Sequence, residues 1–269
     1  MGQTLLEVLI APVLVALATL VGRRWGARAG GLVSAFPAVV GPVLLIISQQ
    51  SGAVAAARAA DATLLGLVAL SGFALAYGRT AQGTPWPGSL AAGWVCAIAA
   101  AAAAGWSLAG AGLAVALAAA VLSIAAARSA LPRPAKQPHH SSALSRPRGG
   151  IAMRMALTSA LIVLLTTASR LFGPVVGGML AALPVLASVL AVFTHREHGS
   201  DATIGLLGGM LTGMASFVAF CAAVALLAVP AGTAVAFGVA TLCAVAAQAL
   251  MLIVPSEPRL LPGPRLPGG

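Results

Sequence analysis

Residues 30–37 read Gly-Gly-Leu-Val-Ser-Ala-Phe-Pro, and residues 177–184 read Gly-Gly-Met-Leu-Ala-Ala-Leu-Pro. The two segments lie 147 residues apart, and the same offset aligns further residues on both sides of them without a gap. A long internal repeat sets the architecture of a chain, because each copy is one structural unit. The sequence therefore predicts a duplicated fold with two halves. Aligned pairs include Arg23 with Arg170, Gly52 with Gly199, and Phe73 with Phe220.

The composition predicts that both halves lie in a membrane. Of the 269 residues, 60% are hydrophobic and 7% are charged, whereas about a quarter of the residues of a soluble domain are charged. Runs of about 20 apolar residues can cross a bilayer as helices, and helices satisfy their own backbone groups in lipid. The runs do not alternate as the strands of a membrane barrel do. We therefore expect an all-α, polytopic transmembrane helical bundle.

The apolar runs predict about nine transmembrane spans. The stretch 88–128 is too long for one span, and we divide it at the glycines between 105 and 112, which weaken a helix. A single tilted helix there would reduce the count to eight. The predicted spans are 4–22, 30–48, 60–78, 88–106, 110–128, 152–170, 175–194, 202–228 and 232–254.

Lysine and arginine predict the orientation, because they are retained on the cytoplasmic side. With the N-terminus outside and the C-terminus in the cytoplasm, only Arg58 and Arg170 lie outside, against thirteen basic residues inside. We expect a multi-pass protein of the bacterial inner membrane. The cytoplasmic set is Arg23, Arg24, Arg28, Arg79, Arg128, Arg133, Lys136, Arg146, Arg148, Arg154, Arg196, Arg259 and Arg265.

The repeat and the orientation together predict two inverted four-helix repeats joined by an extra span. One unpaired span between two equivalent halves turns the second half over, as in many transporters. The predicted units are a first repeat at 1–107, a connecting span at 108–128, a basic Pro-rich cytoplasmic linker at 129–150, a second repeat at 151–254 and a cytoplasmic tail at 255–269.

Several classes of function are disfavoured by the residues. The net charge is +10, but the basic residues form no single face for nucleic acid. Cys96, Cys221 and Cys243 lie in apolar runs without metal-ligand spacing, and we expect them to be packing residues. The sequence has no catalytic constellation and no Walker A motif. We expect no enzyme activity, cofactor, metal site or nucleic-acid partner.

The repeated prolines mark the candidate substrate site. Pro37 and Pro184 each remove a backbone donor inside a predicted helix, so the helix should kink or break there. Two broken ends with unpaired backbone groups could hold a small polar solute near the midplane. Packed, kinked helices without a site are the equally weighted alternative. The hypothetical substrate-binding residues are Ser34, Pro37, Gly41, Pro184, Ser188 and Thr194.

A second group of polar residues forms a candidate gate or helix interface. We expect Asp61 and Asp201 to cap the next spans, with a gate or proton relay as the alternative, and we expect His195 to be solvated. Gln248 is predicted to make a helix–helix hydrogen bond. Glu7 is the one acidic residue expected inside a span, which disfavours a proton-driven pump. The candidate residues are Gln49, Gln50, Asp61, His195, Asp201 and Gln248.

Small residues predict close helix packing in the eighth span, where Gly205, Gly209 and Gly213 recur every fourth residue. This pattern is a signal of assembly and not of chemistry. A homo-oligomer is therefore left open, alongside the lipid bilayer as the expected surrounding.

The segment from Gly31 to Pro37 resembles the GlpM-like family of small bacterial inner-membrane proteins. The segment from Gly178 to Pro184 is similar more loosely, with Leu183 in place of phenylalanine. The resemblance implies a fused, duplicated descendant of a small membrane protein that is linked in one lineage to exopolysaccharide production. It carries no catalytic residues over to this chain.

Two functions follow as hypotheses. The first is a transporter-like protein that moves a small solute by alternating access around Pro37 and Pro184. The second is a non-transporting membrane accessory protein for envelope or exopolysaccharide assembly. The inverted repeat favours transport, whereas the scarcity of buried polar groups favours the accessory role.

Overall fold

The computed structural model describes residues 13, 16–37, 40–108, 110–134, 153, 155–156, 160 and 184–253. Every regular element within these ranges is a helix, as the composition predicts. Residues 16–25 form α1. The helices that follow are α2 (Ala27–Ser34), α3 (Val40–Thr80), α4 (Trp86–Leu108), α5 (Leu113–Ala130), α6 (Val185–Leu227) and α7 (Thr233–Ile253).

Five of these helices are long and apolar enough to cross a membrane, which fits an integral, multi-pass membrane protein. The predicted break between the fourth and fifth spans is confirmed, because α4 ends at Leu108 and α5 begins at Leu113. The predicted spans 4–22 and 152–170, the linker and the tail lie wholly or largely outside the described residues, and so do residues 175–183 of the predicted span 175–194. The five spans are Ile47–Thr80, Trp86–Leu108, Leu113–Ala130, Val185–Leu227 and Thr233–Leu252.

Helices α3 and α6 are each divided into two arms by a glycine. Gly52 has φ 87° and ψ 172°, and Gly199 has φ 80° and ψ −175°, a conformation that side chains with a Cβ rarely adopt. The two glycines are 147 residues apart, like the two copies of the sequence repeat. The ends of α3 and α6 and the starts of α4 and α7 are separated by the same 147 residues.

The second arms of α3 and α6 pack against each other in opposite directions. The Oγ atom of Ser71 lies 4.0 Å from the Sδ atom of Met214. Farther along α3, a Cβ built on Gly78 would lie 3.7 Å from a methyl carbon of Leu207. Residue numbers therefore rise along one helix as they fall along the other. Helices that are equivalent by the sequence offset are antiparallel at this contact.

The first arm of α6 runs in the direction opposite to α4. The indole of Trp94 donates to the Ser188 hydroxyl at 2.8 Å, and the Arg196 guanidinium lies 5.7 Å from the ring centroid of Trp86. Since α4 follows α3 after a short turn and packs against it, these two helices form an antiparallel hairpin. The first arm of α6 therefore runs along α3 and the second arm runs against it. The chain reverses at Gly199.

Glycines let the short helix α2 pack directly on the second arm of α6. A Cβ on Gly31 would overlap the carbonyl group of Leu206, and a Cβ on Gly209 would overlap that of Arg28. Gly213 also faces α2, whereas Gly205 has no described atom within 4 Å of its Cβ position. The predicted stripe of small residues thus makes close contact at two of its three glycines.

Pro37 interrupts the predicted helix 30–48, as expected. α2 ends at Ser34 and α3 begins at Val40. The carbonyl of Val33 would accept from residue 37 in a continuous helix, but it accepts from the Phe36 N–H at 3.2 Å instead. Pro184 is the residue immediately before α6, with φ −78° and ψ 60°; the residues that precede it lie outside the described ranges.

Gly52→Ala is expected to destabilise the protein by about 1–3 kcal/mol, because only glycine adopts this backbone conformation without strain. Thermal unfolding in detergent measures the change. Gly66→Ala is the matched control, since Gly66 lies inside the same helix and its Cβ would meet no described atom within 4 Å. An equal loss of stability in Gly52→Ala and Gly66→Ala would contradict the assignment of a strained backbone to Gly52.

Candidate functional site

Pro37 lies at the depth where the second arms of α3 and α6 contact each other. Just before it, Ala35 is close to Gly213, whose Cβ would lie 2.9 Å from that of Ala35. Just after it, a Cβ on Gly41 would lie 3.4 Å from the ring of Phe220. The α2–α3 break is therefore level with the middle of the second arm of α6, which also contains the contact with α3.

Pro184 lies at a similar depth on the other side of the bundle. One helical turn later, Ser188 accepts the hydrogen bond from Trp94. Trp94 follows Gly93, whose Cβ would be 2.8 Å from the ring of Phe73. Because Phe73 is close along α3 to the contact with α6, the start of α6 is also near this crossing. Both proline positions thus border the same central layer.

Two of the three predicted hydroxyl residues, Ser34 and Ser188, are buried at this layer, whereas Thr194 lies toward the other end of the first arm of α6, two residues before Arg196. The Ser34 hydroxyl donates to the Gly31 carbonyl at 2.6 Å. The Ser188 hydroxyl donates to the Pro184 carbonyl at 2.8 Å while it accepts from Trp94. Thr194 is buried as well. Since Ser34 and Ser188 donate to their own backbone, each can offer a solute only an acceptor oxygen.

The hydrogen bond from Trp94 to Ser188 joins α4 to the helix that begins at Pro184. Trp94→Phe removes the donor and is expected to cost about 1 kcal/mol of stability. Unfolding in detergent measures the loss. Trp106→Phe is the control, because Trp106 is 93% exposed and its loss should change little. A larger effect at Trp106 would contradict the assignment.

His195 is not simply solvated, which corrects the expectation from the sequence. Its Nδ1 atom lies 3.3 Å from the hydroxyl of Tyr77, and the two rings meet edge to face with centroids 5.9 Å apart. Tyr77 is fully buried and is the chain's one tyrosine. This contact between α3 and the first arm of α6 was not predicted. A tyrosine in an apolar run was the available signal, because its hydroxyl needs a partner when it is buried.

Asp61 does not cap a helix. The chain is helical directly after Gly52, and Asp61 lies well inside the second arm of α3. The predicted loop between the second and third spans is absent from this part of the structure, because residues 53–60 are mostly alanine and favour a helix. A carboxylate in a candidate span also corrects the expectation that Glu7 would be the one such residue; Glu7 itself lies outside the described ranges.

The remaining gate residues lie at the ends of the first arms. Gln49 and Gln50 are exposed and belong to the last turn before Gly52. Asp201 lies in the first helical turn after Gly199, which is close to its predicted capping position. The structure does not bring these three residues together with Pro37 and Pro184, since they lie at the arm ends and the two prolines lie at the central layer.

Gln248 makes the helix–helix hydrogen bond that the sequence predicts. Its Nε2 group in α7 donates to the Leu32 carbonyl of α2 at 2.8 Å. The side chain is 9% exposed. Its Oε1 atom is buried without a hydrogen-bond partner in the described structure. Gln248 therefore links α7 to the end of α2, next to the Pro37 break. Its amide oxygen remains there as an acceptor without a donor.

One end of the bundle collects basic residues. Arg79 donates to the carbonyl of Ala130 at 3.1 Å, which places the ends of α3 and α5 together. Arg196 stacks on the first residue of α4 at the same end. Arg128 lies in the last turn of α5, and its guanidinium donates to Thr212 at 2.7 Å. Arg58 lies toward the other end, near the Gly52 turn.

No family model, curated protein or solved structure matches the chain. Within the described ranges, no three His, Cys, Asp or Glu side chains stand close enough together to hold a metal ion. Function is therefore inferred from the central layer itself. This layer contains two proline positions, buried hydroxyls and an amide.

Proposed function

We propose that this protein is transporter-like and moves a small solute by alternating access around Pro37 and Pro184. The antiparallel contact between the second arms of α3 and α6 carries the proposal. These arms are equivalent by the sequence offset, and proline positions border their contact on both sides. Inverted repeats with interrupted helices around a central site are the architecture of many secondary transporters.

The proposal includes nine spans, two inverted repeats and insertion in the bacterial inner membrane. The basic end of the bundle is placed in the cytoplasm, since arginines favour that side. The GlpM-like resemblance supports descent from a small inner-membrane protein by duplication. An odd number of spans would place the two chain ends on opposite sides.

Reporter fusions test the proposed orientation. A cytoplasmic reporter fused after Thr84 or after Gly199 should be active, because both turns lie at the basic end. A fusion after Ser51, which is exposed beside the Gly52 turn, should be active only with a periplasmic reporter. The reverse pattern would overturn the orientation.

Thiol labelling tests alternating access without knowledge of the solute. In a variant with Cys96, Cys221 and Cys243 replaced by alanine, we introduce Ser34→Cys or Ser188→Cys. A membrane-impermeant methanethiosulfonate should label either new cysteine from both faces of oriented vesicles, because the central layer opens to each side in turn. Thr84→Cys and Ser51→Cys are the controls and should each react from one face only.

A non-transporting accessory protein is the second candidate. The observation that favours it is the internal bonding of the central hydroxyls, since Ser34 and Ser188 both donate to backbone carbonyls of their own chain segment. Such bonding is also found in helices that are simply packed. Failure to label either central cysteine from either face would reject transport and favour this role.

A further inference from the structure

We propose that Gln248 binds the solute at the α2–α3 break and that this solute is small, uncharged and a hydrogen-bond donor. The inference rests on the proposed transport function and adds the chemical class of its substrate. Its basis is the unpaired oxygen of the Gln248 amide, together with the lack of charged side chains on α7 and on residues 204–227 of α6.

The orientation of the Gln248 amide is set by its partner. The Leu32 carbonyl can only accept, so the amide must direct its NH₂ group toward it, as observed at 2.8 Å. The amide oxygen is consequently the group left over. It is buried and has no described partner, and a buried acceptor without a donor is unfavourable. A solute that donates a hydrogen bond would satisfy it.

The backbone at the break favours a donor as well. Leu32 lies in the last turn of α2, and its carbonyl already accepts from the Ala35 N–H at 3.3 Å and from Gln248. The carbonyl groups at a helix C-terminus still carry a partial negative charge. These carbonyls and the Gln248 oxygen together repel an anion. A hydroxyl or N–H group on the solute is attracted by both.

The charge of the neighbouring helices indicates that the solute is neutral. α7 carries no charged side chain over Thr233–Ile253, and neither does α6 over residues 204–227. Arg128 approaches α6 from α5, where its guanidinium donates to the Thr212 hydroxyl. The one charged residue of α2, Arg28, lies a turn before Leu32 and has an interaction of its own. A net charge on the solute would find no counter-charge on α7 or on this part of α6, and burying an unpaired charge is strongly unfavourable.

The two halves are not equivalent at this position. The repeat offset aligns Gln248 with Ala101, which has no polar side chain, and aligns Ser188 with Gly41. The Gln248 amide is therefore offered near Pro37 and the Ser188 hydroxyl near Pro184, and neither has a polar equivalent in the other half. This asymmetry predicts one solute per chain and not two equivalent sites.

Solute-induced stabilisation of the purified full chain in detergent tests the inference. The probes are urea, erythritol and glucose as neutral donors, and lactate and inorganic phosphate as anions. At least one neutral probe should raise Tm in a saturable way, and neither anion should. Gln248→Met keeps the side-chain length and removes the amide, and it should weaken the apparent affinity about tenfold or more. Gln82→Met is the same change at an exposed glutamine and should have no effect.

Protection from labelling gives a second measurement that leaves Gln248 intact. A probe that stabilises the protein should slow the labelling of Ser34→Cys, which lies two residues from Leu32, and should not slow the labelling of Ser51→Cys. If Gln248→Met does not fold, this protection measurement still tests whether the solute binds at the end of α2.

Three results would overturn the inference. They are equal binding by wild type and Gln248→Met, stabilisation by an anion alone, and no stabilisation or protection by any neutral probe. Each is separable from failure of the proposed function, because two-sided labelling of Ser34→Cys without solute reports on alternating access alone.

Discussion

Gly209→Ala is expected to lower the free energy of unfolding by about 3 kcal/mol, at the upper end for overpacked cores. The added Cβ would overlap the main-chain carbonyl of Arg28, and a backbone group cannot move aside as a flexible side chain can. Gly31→Ala should have a similar effect, because its Cβ would overlap the carbonyl of Leu206. Unfolding in detergent, followed by circular dichroism, measures both losses.

Gly205→Ala is the control for this experiment. Gly205 lies in the same helix, and its Cβ would meet no described atom within 4 Å. Alanine is the better helix former, so this variant should be neutral or more stable by about 0.5–1 kcal/mol. Equal destabilisation of the Gly205 and Gly209 variants would show that α2 does not pack on α6 as described.

The glycine stripe shows how far the sequence can predict packing. The spacing alone identifies one face of a helix as lined with small residues, and another helix does pack on that face. Spacing does not identify the partner, which is the short helix α2 and not a second copy of a long span. It also does not reveal that Gly205 lies beyond the contact. Gly205 is one turn before Gly209, and Gly209 already faces Arg28 at the start of α2.

The turn at Gly52 was missed for a different reason. Polar residues at 48–51 predict a loop, and Asp61 is typical of a helix start. The alanine-rich stretch between them has a higher preference for a helix, so a single glycine interrupts the helix. At Gly199 the equivalent interruption was easier to predict, since Asp201 follows the glycine directly.

Contacts between distant residues account for the rest of what the sequence could not predict. The need of Gln248 for a partner follows from its amide in an apolar run, and a helix–helix bond was predicted on that basis. The choice of the Leu32 carbonyl depends on the break at Pro37, which leaves the end of α2 accessible to α7. The pairing of His195 with Tyr77 likewise depends on how the first arm of α6 packs along α3, which no local pattern determines.

The double variant Pro37→Ala with Pro184→Ala is expected to abolish two-sided labelling of Ser34→Cys. Alanine at 37 supplies an N–H that can bond to the Val33 carbonyl, so that α2 and the first arm of α3 can join into one helix. Proline inside a helix costs about 3 kcal/mol, and removing it should favour the continuous form by roughly 10²-fold. Labelling from one face should therefore slow by at least about tenfold, and any solute uptake by reconstituted protein should fall with it.

Pro42→Ala separates the effect of the break from the loss of any proline. Pro42 lies in the first turn of α3, beyond the interruption at Pro37, and proline is tolerated in the first turn of a helix. In the Pro42→Ala variant, Ser34→Cys should be labelled from both faces, as it is in the protein that keeps all its prolines. If the double variant also labels like the parent, then Pro37 and Pro184 only shape packed helices. If it loses labelling while Pro42→Ala keeps it, then the interruption itself is required for the central layer to open, because a continuous helix would close the region where Gln248 meets the end of α2.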